Sequence, residues 1–309
     1  MRVFSCASGD SGIDPIDTQY LKTFIAVADG GSMAAAAREL DITAAAVAQQ
    51  IHTLERTIGA PLIVRVGRTV RLTEQGARVL QHMRVLVRDF ADLRGIAQAG
   101  VLTGELRLGA CPTVLAGLLP GVIARMIDKF PQINVYIQPG YSAALYGAIE
   151  NGDLDAAFVL KAPYALPKTC DWQLLREEPL ILLVPTHLAD QEPHRLLREQ
   201  PLIRYDRTQW GGREADEYLR RVGIAPRERL ELNALNAIAV MVDRGLGVSL
   251  VPDWAKPWPE GLRLARLALP EPSNPRRIGM IWSRASVRLR LVNALLQESM
   301  QEAGVLPSA

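Results

Sequence analysis

The sequence predicts a multi-domain α/β protein, in which a helical N-terminal part precedes a larger part of alternating strands and helices. The length of 309 residues exceeds that of a typical single domain. Short capped helices occupy the first sixty residues, and a long amphipathic helix follows a pair of short strands. From Gly104 onward, apolar strand-like segments alternate with helical segments, which indicates a doubly wound parallel sheet.

Composition limits the class of function. A formal net charge of +2 excludes a polycation, so any surface that binds nucleic acid has to be local. No apolar run reaches the ~18 residues that a membrane span needs. The 3 widely spaced cysteines argue against a disulfide framework and predict a reducing, cytoplasmic compartment. The 4 histidines lack the spacing of a zinc site, and no metal or cofactor is expected.

Residues 1–16 carry small and charged side chains without the apolar segment of a secretory signal. We therefore expect them to form a flexible tail, or to result from a misplaced start codon. The first structured domain is predicted over residues 17–73.

Capping residues predict three helices at the start of this domain. Asp17 precedes the apolar stripe of the first helix, and Gly31 ends it. Ser32 is the expected N-cap of a short alanine-rich helix, and Thr43 that of a third helix over residues 44–58. Two short helices joined by a tight turn form a helix-turn-helix, whose second helix enters the DNA major groove.

A β-hairpin is predicted next, over residues 61–72. Apolar and basic residues alternate there around a turn at Gly67 and Arg68, which is typical of a wing. Four arginines and no acidic residue lie between Arg56 and Arg71 inclusive. This local positive charge suits contact with DNA phosphates.

A long linker helix is predicted over residues 74–98, with Thr73 as its cap. Its apolar residues recur at three- and four-residue steps and form one stripe. We expect this stripe to mediate dimerisation, with packing against the helix's own domain as the alternative. The predicted dimerisation residues are Leu80, Met83, Val87 and Phe90.

The last predicted domain spans residues 104–309 and is expected to consist of two lobes with a cleft between them. Its predicted elements include helices over residues 114–130 and 215–222 and strands over residues 156–160 and 278–282. In open α/β sheets, ligands bind beyond the carboxyl ends of the strands. No grouping of Ser, His and Asp or of Cys and His is recognisable, so no catalysis is expected.

These residues together resemble the LysR-type transcriptional regulators. The resemblance begins in the helix-turn-helix and continues through the wing, with the runs Leu21-Lys22-Thr23-Phe24, Gly31-Ser32-Met33, Ala36-Ala37-Arg38-Glu39-Leu40, Gln50-Ile51, Leu54-Glu55, Pro61-Leu62 and Arg71-Leu72-Thr73. It continues more loosely in the second domain, with Gly104-Glu105-Leu106-Arg107-Leu108-Gly109-Ala110, Gly152-Asp153-Leu154-Asp155-Ala156-Ala157 and Gly245-Leu246-Gly247-Val248.

The resemblance implies a winged helix-turn-helix, a linker helix and a periplasmic-binding-protein-like effector domain. Lobe one would comprise residues 104–163 and 269–309, and lobe two residues 164–268. The resemblance also implies a homodimer or homotetramer that binds double-stranded DNA at an interrupted inverted repeat near a promoter. A small-molecule effector would modulate this regulator, and RNA polymerase would be a further partner.

The recognition helix departs from the family pattern, because positions 44 and 48, usually glutamine and serine, are both alanine here. A methyl group can contact the thymine methyl but cannot hydrogen-bond to a base edge. We therefore expect this protein to depend more than its relatives on the wing and on DNA shape. The predicted DNA-binding residues are Ser32, Thr43, Ala44, Ala45, Ala48, Gln49, Gln50, Thr53, Arg56, Arg65, Arg68 and Arg71.

Candidate effector-binding residues are those at the predicted strand ends. Thr113 and the backbone around it could hold an anion, or Thr113 could simply cap the following helix. Lys161 and Arg204 favour an organic acid, unless both are solvated surface charges. The full set is Ala110, Cys111, Pro112, Thr113, Tyr141, Ser142, Lys161, Arg204, Tyr205, Asn233 and Ala234.

Three other interpretations are possible on the same scaffold. A solute-binding protein would suit the second domain alone, but the helix-turn-helix and the lack of a signal peptide argue against it. An enzyme would show turnover, which we do not expect. A non-specific DNA-binding protein or heterodimer partner would fit a recognition helix so rich in alanine.

Overall fold

A computed structural model describes residues 17–67, 69–97 and 102–305, and for residues 91–97 it describes the backbone alone. The chain divides into two compact units, and the division falls after Ala97. Among the helices in the described ranges, none has both the length and the apolar character required to cross a membrane.

The N-terminal unit is a winged helix-turn-helix followed by a long helix. Its strands pair antiparallel, with Val66 opposite Thr69 across the turn. The elements in chain order are α1 (Thr18–Gly30), α2 (Met33–Glu39), α3 (Ala44–Ile58), β1 (Ile63–Val66), β2 (Thr69–Leu72) and α4 (Glu74–Ala97).

Local hydrogen bonds explain why these helices begin and end where they do. The side chain of each predicted N-cap accepts a backbone N–H bond, at 2.8 Å for Asp17 and 3.1 Å for Ser32 and Thr43. Gly31 ends α1 in the left-handed conformation, with a φ of 63°. The turn between α2 and α3 also needs a positive φ, which Asp41 adopts at 52°.

Two contacts fix the wing onto the helices. The Glu55 carboxylate in α3 accepts backbone N–H bonds from Leu62 at 2.7 Å and from Ile63 at 3.1 Å. At the start of α4, Gly76 lies so close to the wing that an added Cβ would be 2.0 Å from the carbonyl oxygen of Leu62. The α4 backbone can therefore approach the wing only with glycine at this position.

The apolar stripe of α4 mainly faces its own domain. Met83 is buried, and Leu80 and Val87 are half-buried against the same core. These three predicted dimerisation residues therefore pack against their own domain, which was the alternative to a contact with a second subunit. Phe90 is 55% exposed and, with Leu86 at 57%, forms an apolar pair one helical turn apart.

The C-terminal unit alternates strands and helices, as predicted. Its strands are β3 (Gly104–Ala110), β4 (Ile133–Pro139), β5 (Ala156–Leu160), β6 (Cys170–Glu178), β7 (Leu180–Pro185), β8 (Pro201–Tyr205), β9 (Arg227–Leu232), β10 (Ser249–Pro252), β11 (Leu264–Ala268) and β12 (Arg276–Ser283). Its helices are α5 (Pro112–Ala116), α6 (Leu118–Lys129), α7 (Ser142–Glu150), α8 (Pro193–Glu199), α9 (Trp210–Arg221), α10 (Leu235–Asp243) and α11 (Leu289–Glu302).

The two sheets are mixed, which corrects the prediction of a wholly parallel sheet. Lobe one has the order β4-β3-β5-β12-β6, in which β12 is antiparallel to both neighbours. The reason is that strands β3, β4 and β5 end at the cleft between the lobes. Strand β12 begins at the cleft, because the chain re-enters lobe one there after lobe two. Lobe two contains the antiparallel set β10-β7-β11 and the parallel pair β8-β9, joined by a bridge between Leu202 and Val248.

The first crossing between lobes lies later than predicted. Strand β6 pairs with β12 in the sheet of lobe one, so the chain crosses at Pro179 rather than near residues 160–165. The return follows Ala268, close to the predicted place, because β11 still pairs with β7. Residues 164–178 therefore belong to lobe one.

A single long helix was predicted over residues 114–130, but the structure has two helices there, α5 and α6. They are separated at Gly117, where φ is −96° and ψ is −83°. An added Cβ at Gly117 would lie 2.9 Å from the carbonyl oxygen of Lys256 in lobe two. The break therefore allows close approach between the two lobes.

Candidate functional site

Helix α3 has one buried and one exposed face, as a recognition helix requires. Val47, Ile51 and Leu54 are buried in the core of the N-terminal unit. At 100° per residue, the opposite face is centred on a stripe at positions i, i+4, i+7 and i+11. That stripe consists of four exposed residues, Ala45, Gln49, His52 and Arg56.

Gln50 does not belong to the exposed face. Its Oε1 accepts a 2.5 Å hydrogen bond from the hydroxyl of Thr23, which is itself fully buried in α1. Gln50 thus joins α3 to α1, which corrects the expectation that it contacts a base.

The other predicted DNA-binding residues differ in the exposure of their side chains and in whether those side chains already have hydrogen-bond partners. Ser32 and Thr43 use their hydroxyl oxygens as helix caps. Ala44 is exposed, whereas Ala48 and Thr53 are half-buried. Four polar residues of this predicted set are exposed and make no hydrogen bond or ion pair within the described ranges, namely Gln49, Arg56, Arg65 and Arg71. Arg68 lies outside the described ranges.

A cavity of about 250 Å³ lies between the two lobes of the C-terminal unit, beyond the carboxyl ends of the strands. It brings together many of the predicted effector-binding residues, namely Cys111, Pro112, Thr113, Tyr141, Ser142, Tyr205 and Asn233. Ser142 also has a structural part, because its Oγ accepts a 3.0 Å bond from the backbone N–H of Leu160.

The charged residue in the lining of this cavity is Arg276, at the start of β12. Its guanidinium donates from Nη2 to the Thr113 hydroxyl at 3.1 Å and from Nε to Glu178 Oε2 at 2.6 Å. The other carboxylate oxygen of Glu178 accepts a 3.1 Å bond from the backbone N–H of Ala255. Arg276 is thus held by two partners at the lining of the cavity.

Two ionisable groups in the lining stay neutral at ordinary pH. Burial raises the pKa of the Cys111 thiol, and the positive charge of Arg276 offsets only part of this effect. Burial also raises the pKa of Tyr205. Since Glu178 balances the charge of Arg276, the cavity has many hydrogen-bonding groups but no net formal charge.

Arg204 does not reach the cavity. Neighbouring residues on a strand point to opposite faces, and Tyr205 takes the cavity side. Arg204 is buried on the other side, where it donates to Asp216 at 2.8 Å and to Glu228 at 2.6 Å. The expected role of Arg204 as a free cation for the effector is corrected accordingly.

Three further predicted effector residues lie outside this cavity. Ala110 is fully buried in the core of lobe one. Lys161 lines a neighbouring open cavity of about 650 Å³, with its Nζ 5.6 Å from the ring centroid of Trp172. Ala234 precedes α10 and is exposed outside the cavity lining.

Several lining residues on lobe two and at the crossing were not among the predicted effector-binding residues. Arg276 was missed because the last strand was predicted to begin at residue 278. Trp210 was missed because α9 was predicted to begin at residue 215. The signal that could have found Trp210 is the polar turn that follows β8, because Thr208 and Gln209 of that turn and the first two residues of α9 all line the cavity.

Trp210 also connects the two lobes through aromatic contacts. Its ring lies edge-on to Tyr146 of α7, with 5.5 Å between centroids, and to Tyr164, with 5.9 Å between centroids. Within the described part of the chain, no group of three His, Cys, Asp or Glu residues could hold a metal ion.

Comparison with known proteins identifies both units. Residues 18–77 match the family model of the bacterial regulatory helix-turn-helix protein, lysR family, and residues 99–304 match that of the LysR substrate binding domain. A Mycobacterium avium protein described as a "probable hydrogen peroxide-inducible genes activator" is 31% identical over 278 residues, or 87% of this chain and 88% of the relative. The HTH-type transcriptional regulator CzcR of Bacillus subtilis is 25% identical over 241 residues, or 78% and 81%.

Solved structures share the fold over nearly the whole chain. A cysteine-to-aspartate variant of full-length OxyR from Pseudomonas aeruginosa has a TM-score of 0.67 at 21% identity, covering 92% of this chain and 95% of that chain. CbnR, a LysR family transcriptional regulator, has a TM-score of 0.64 at 22% identity, covering 93% and 99%.

The helix-turn-helix and the two-lobed cavity together define a transcriptional regulator with a DNA-binding domain and an effector-binding domain. The chain belongs to the LysR family of bacterial regulators.

Proposed function

We propose that this regulator binds an interrupted inverted repeat near a promoter as a homodimer or a dimer of dimers. A small polar molecule in the cavity between the lobes modulates that binding, and RNA polymerase is a further partner. The main support is that one chain combines an exposed recognition face on α3 with a cavity at the strand ends of the effector domain.

DNA affinity depends strongly on the wing in this proposal. The recognition face offers few groups that can hydrogen-bond to bases, whereas Arg65 and Arg71 of the wing are exposed and unpaired within the described ranges. Arginine contacts to phosphate release counterions, so affinity falls steeply with salt. The shape of the minor groove beside the wing adds sequence preference without base contacts.

The test is fluorescence anisotropy on the DNA upstream of the regulator's own gene, with scrambled DNA as competitor and a salt series. We expect more than tenfold preference for the upstream DNA and a steep salt dependence. Arg65→Ala and Arg68→Ala should weaken binding to both DNAs and reduce the salt slope by about 1 each. Intact affinity in Arg68→Ala, together with complete loss in Gln49→Ala, would contradict the emphasis on the wing.

Dimerisation through α4 is proposed to use the exposed pair Leu86 and Phe90. Phe90→Arg should shift the protein towards the monomer in light scattering after size exclusion, because a charge replaces an apolar contact. Ala77→Arg, at an exposed position on the opposite side of the same helix from Leu86, is the matched control and should leave the mass unchanged. A dimer that persists in Phe90→Arg would place the contact elsewhere.

The effector is proposed to be a small organic molecule rich in hydrogen-bonding groups, and organic acids are the first class to test. The cavity supports this with Arg276, Thr113, Ser142 and Asn233. A carboxylate would accept bonds from these donors, although Glu178 already balances the charge of Arg276.

The effector test is a thermal-shift screen of small organic acids, each paired with its primary amide. An acid that stabilises the protein more than its amide supports carboxylate recognition, and the reverse ranking supports a neutral effector. Thr113→Val should remove the shift, since it deletes a hydroxyl in the cavity lining. Thr169→Val, outside the lining, is the matched control. If no acid shifts the melting temperature, the organic-acid proposal fails.

One relative's description names hydrogen peroxide as the inducer, and this does not transfer readily to the cysteines that the structure describes. Cys111 and Cys170 are buried and unpaired as disulfides, and burial raises the pKa of both thiols. Peroxide reacts with the thiolate, so a raised pKa slows the reaction. We propose that neither cysteine senses peroxide in this regulator.

A further inference from the structure

His52 lies on the exposed face of α3, between Gln49 and Arg56. It comes three residues after Gln49 and four before Arg56, so the three side chains share one face. The opposite side of the helix is occupied by the buried residues Val47, Ile51 and Leu54.

The imidazole of His52 has no competing partner. It is exposed and makes no hydrogen bond or ion pair within the described ranges. The nearest acidic residue along α3 is Glu55, and its carboxylate already accepts two backbone bonds from the wing. His52 is therefore free to meet a ligand presented to this face.

The alanines before His52 leave this face short of base-reading groups. Ala44, Ala45 and Ala48 offer methyl groups alone, and Gln50 is bonded to Thr23. Small side chains also allow a helix to lie closer to the groove floor. On the face itself, the groups able to bond to a base edge are thus the amide of Gln49, the ring of His52 one turn later, and the guanidinium of Arg56 one turn after that.

We propose that His52 is a specificity-determining residue that donates a ring N–H to the N7 or O6 acceptor of a guanine in the major groove. Guanine presents the acceptors N7 and O6 side by side, whereas adenine has an amino donor in place of O6, so a ring N–H directed between the two guanine acceptors disfavours adenine. This proposal rests on the proposed sequence-specific DNA binding. A phosphate contact by His52 is the competing possibility and would carry no sequence information.

The experiment starts with selection of binding sites by the full-length protein from a randomised duplex library. A consensus with a G·C pair in each half-site is expected. Each such guanine is then replaced by 7-deazaguanine, which lacks the N7 acceptor, or the G·C pair is replaced by A·T. Affinities of the wild type, His52→Ala and the control His82→Ala are measured by anisotropy, with circular dichroism to verify folding.

We expect about tenfold weaker wild-type binding at one altered guanine, and a similar loss for His52→Ala on the unaltered site. The two losses should not add when the variant meets the altered site, because they remove the same bond. His82→Ala should behave as the wild type.

Uniform weakening of His52→Ala on all sequences would overturn the proposal in favour of a phosphate contact. Unchanged binding by His52→Ala would overturn it in favour of a solvated side chain. If the wild type selects no consensus, the proposed sequence-specific DNA binding fails, and the role of His52 fails with it. If the wild type selects a consensus that His52→Ala binds equally well, only the role of His52 fails.

Discussion

Arg276 and Glu178 form a buried ion pair at the place where the chain enters and leaves lobe two. The two residues are Cα partners in the β12–β6 ladder, and their side chains are 5% and 2% exposed. The next pair in the same ladder, Arg277 and Glu177, bonds at 2.9 Å but is 47% exposed at both ends. The same two residue types therefore interact in a buried and in an exposed environment, one residue apart.

Glu178→Ala is expected to lower the free energy of unfolding by about 3–5 kcal/mol, because it leaves the buried Arg276 uncompensated. Glu177→Ala is the matched control and should cost at most about 1 kcal/mol, since water screens an exposed pair. Urea denaturation of both variants measures the difference. Equal losses would show that the burial of the first pair adds nothing to its importance.

Neighbouring glutamines on α3 should separate stability from recognition. Gln50→Ala removes the partner of the buried Thr23 hydroxyl and should cost about 1–3 kcal/mol in unfolding free energy. Gln49→Ala should change stability by less than about 0.5 kcal/mol, because that side chain is exposed. It should instead weaken discrimination among DNA sequences. Thermal unfolding and anisotropy check the two effects, and a reversed assignment would contradict the geometry.

Two glycine-to-alanine substitutions should have opposite signs. At Gly147, inside α7, an added Cβ meets no atom within 4 Å, so Gly147→Ala should stabilise the protein by about 0.5–1 kcal/mol. At Gly76, the added Cβ would collide with the carbonyl of Leu62, so Gly76→Ala should destabilise the winged helix by about 1–3 kcal/mol. Calorimetric melting temperatures provide the measurement. A stable Gly76→Ala variant with normal DNA binding would show that the wing can move away.

The reactivity of Cys111 should depend on pH in a defined direction. Because burial raises its pKa, the folded state favours the neutral thiol, and the thiolate fraction at pH 7 is smaller than for an ordinary cysteine. The associated stabilisation is complete below the unfolded pKa of about 8.5 and is lost as pH rises through the folded pKa. Alkylation by iodoacetamide, followed by mass spectrometry, should be slow in the folded protein up to alkaline pH and fast in urea. Rapid alkylation of folded protein at pH 7 would contradict this.

Features that depend on nearby residues were predictable from the sequence. The caps at Asp17, Ser32 and Thr43 fall at the predicted positions, because each bond joins residues two or three apart. Strand β5 also agrees with its prediction, since a run of buried apolar residues between polar turns has few alternatives.

Features that depend on distant pairing were not predictable. Strand β6 loses its polar/apolar alternation at Leu175 and ends in the charged run Arg176, Glu177 and Glu178, so it is identified by its partner β12, about one hundred residues later. Arg204 and Tyr205 could have exchanged roles, because the sequence does not determine which face of β8 meets the cavity. The place of Arg276 in the cavity was not predictable either, because its partner Glu178 lies 98 residues away in the sequence.

The position of the crossing between the lobes allows such a regulator to be rebuilt from exchangeable parts. Since Glu178 and Arg276 are opposite each other in one antiparallel ladder, their Cα atoms are about 5 Å apart. The segment between these two residues therefore has its two ends close together, as in a domain that is inserted into a loop of another domain. A foreign lobe with similarly spaced ends could be joined at this place, and ligand preference could be exchanged while the N-terminal DNA-binding unit keeps its sequence.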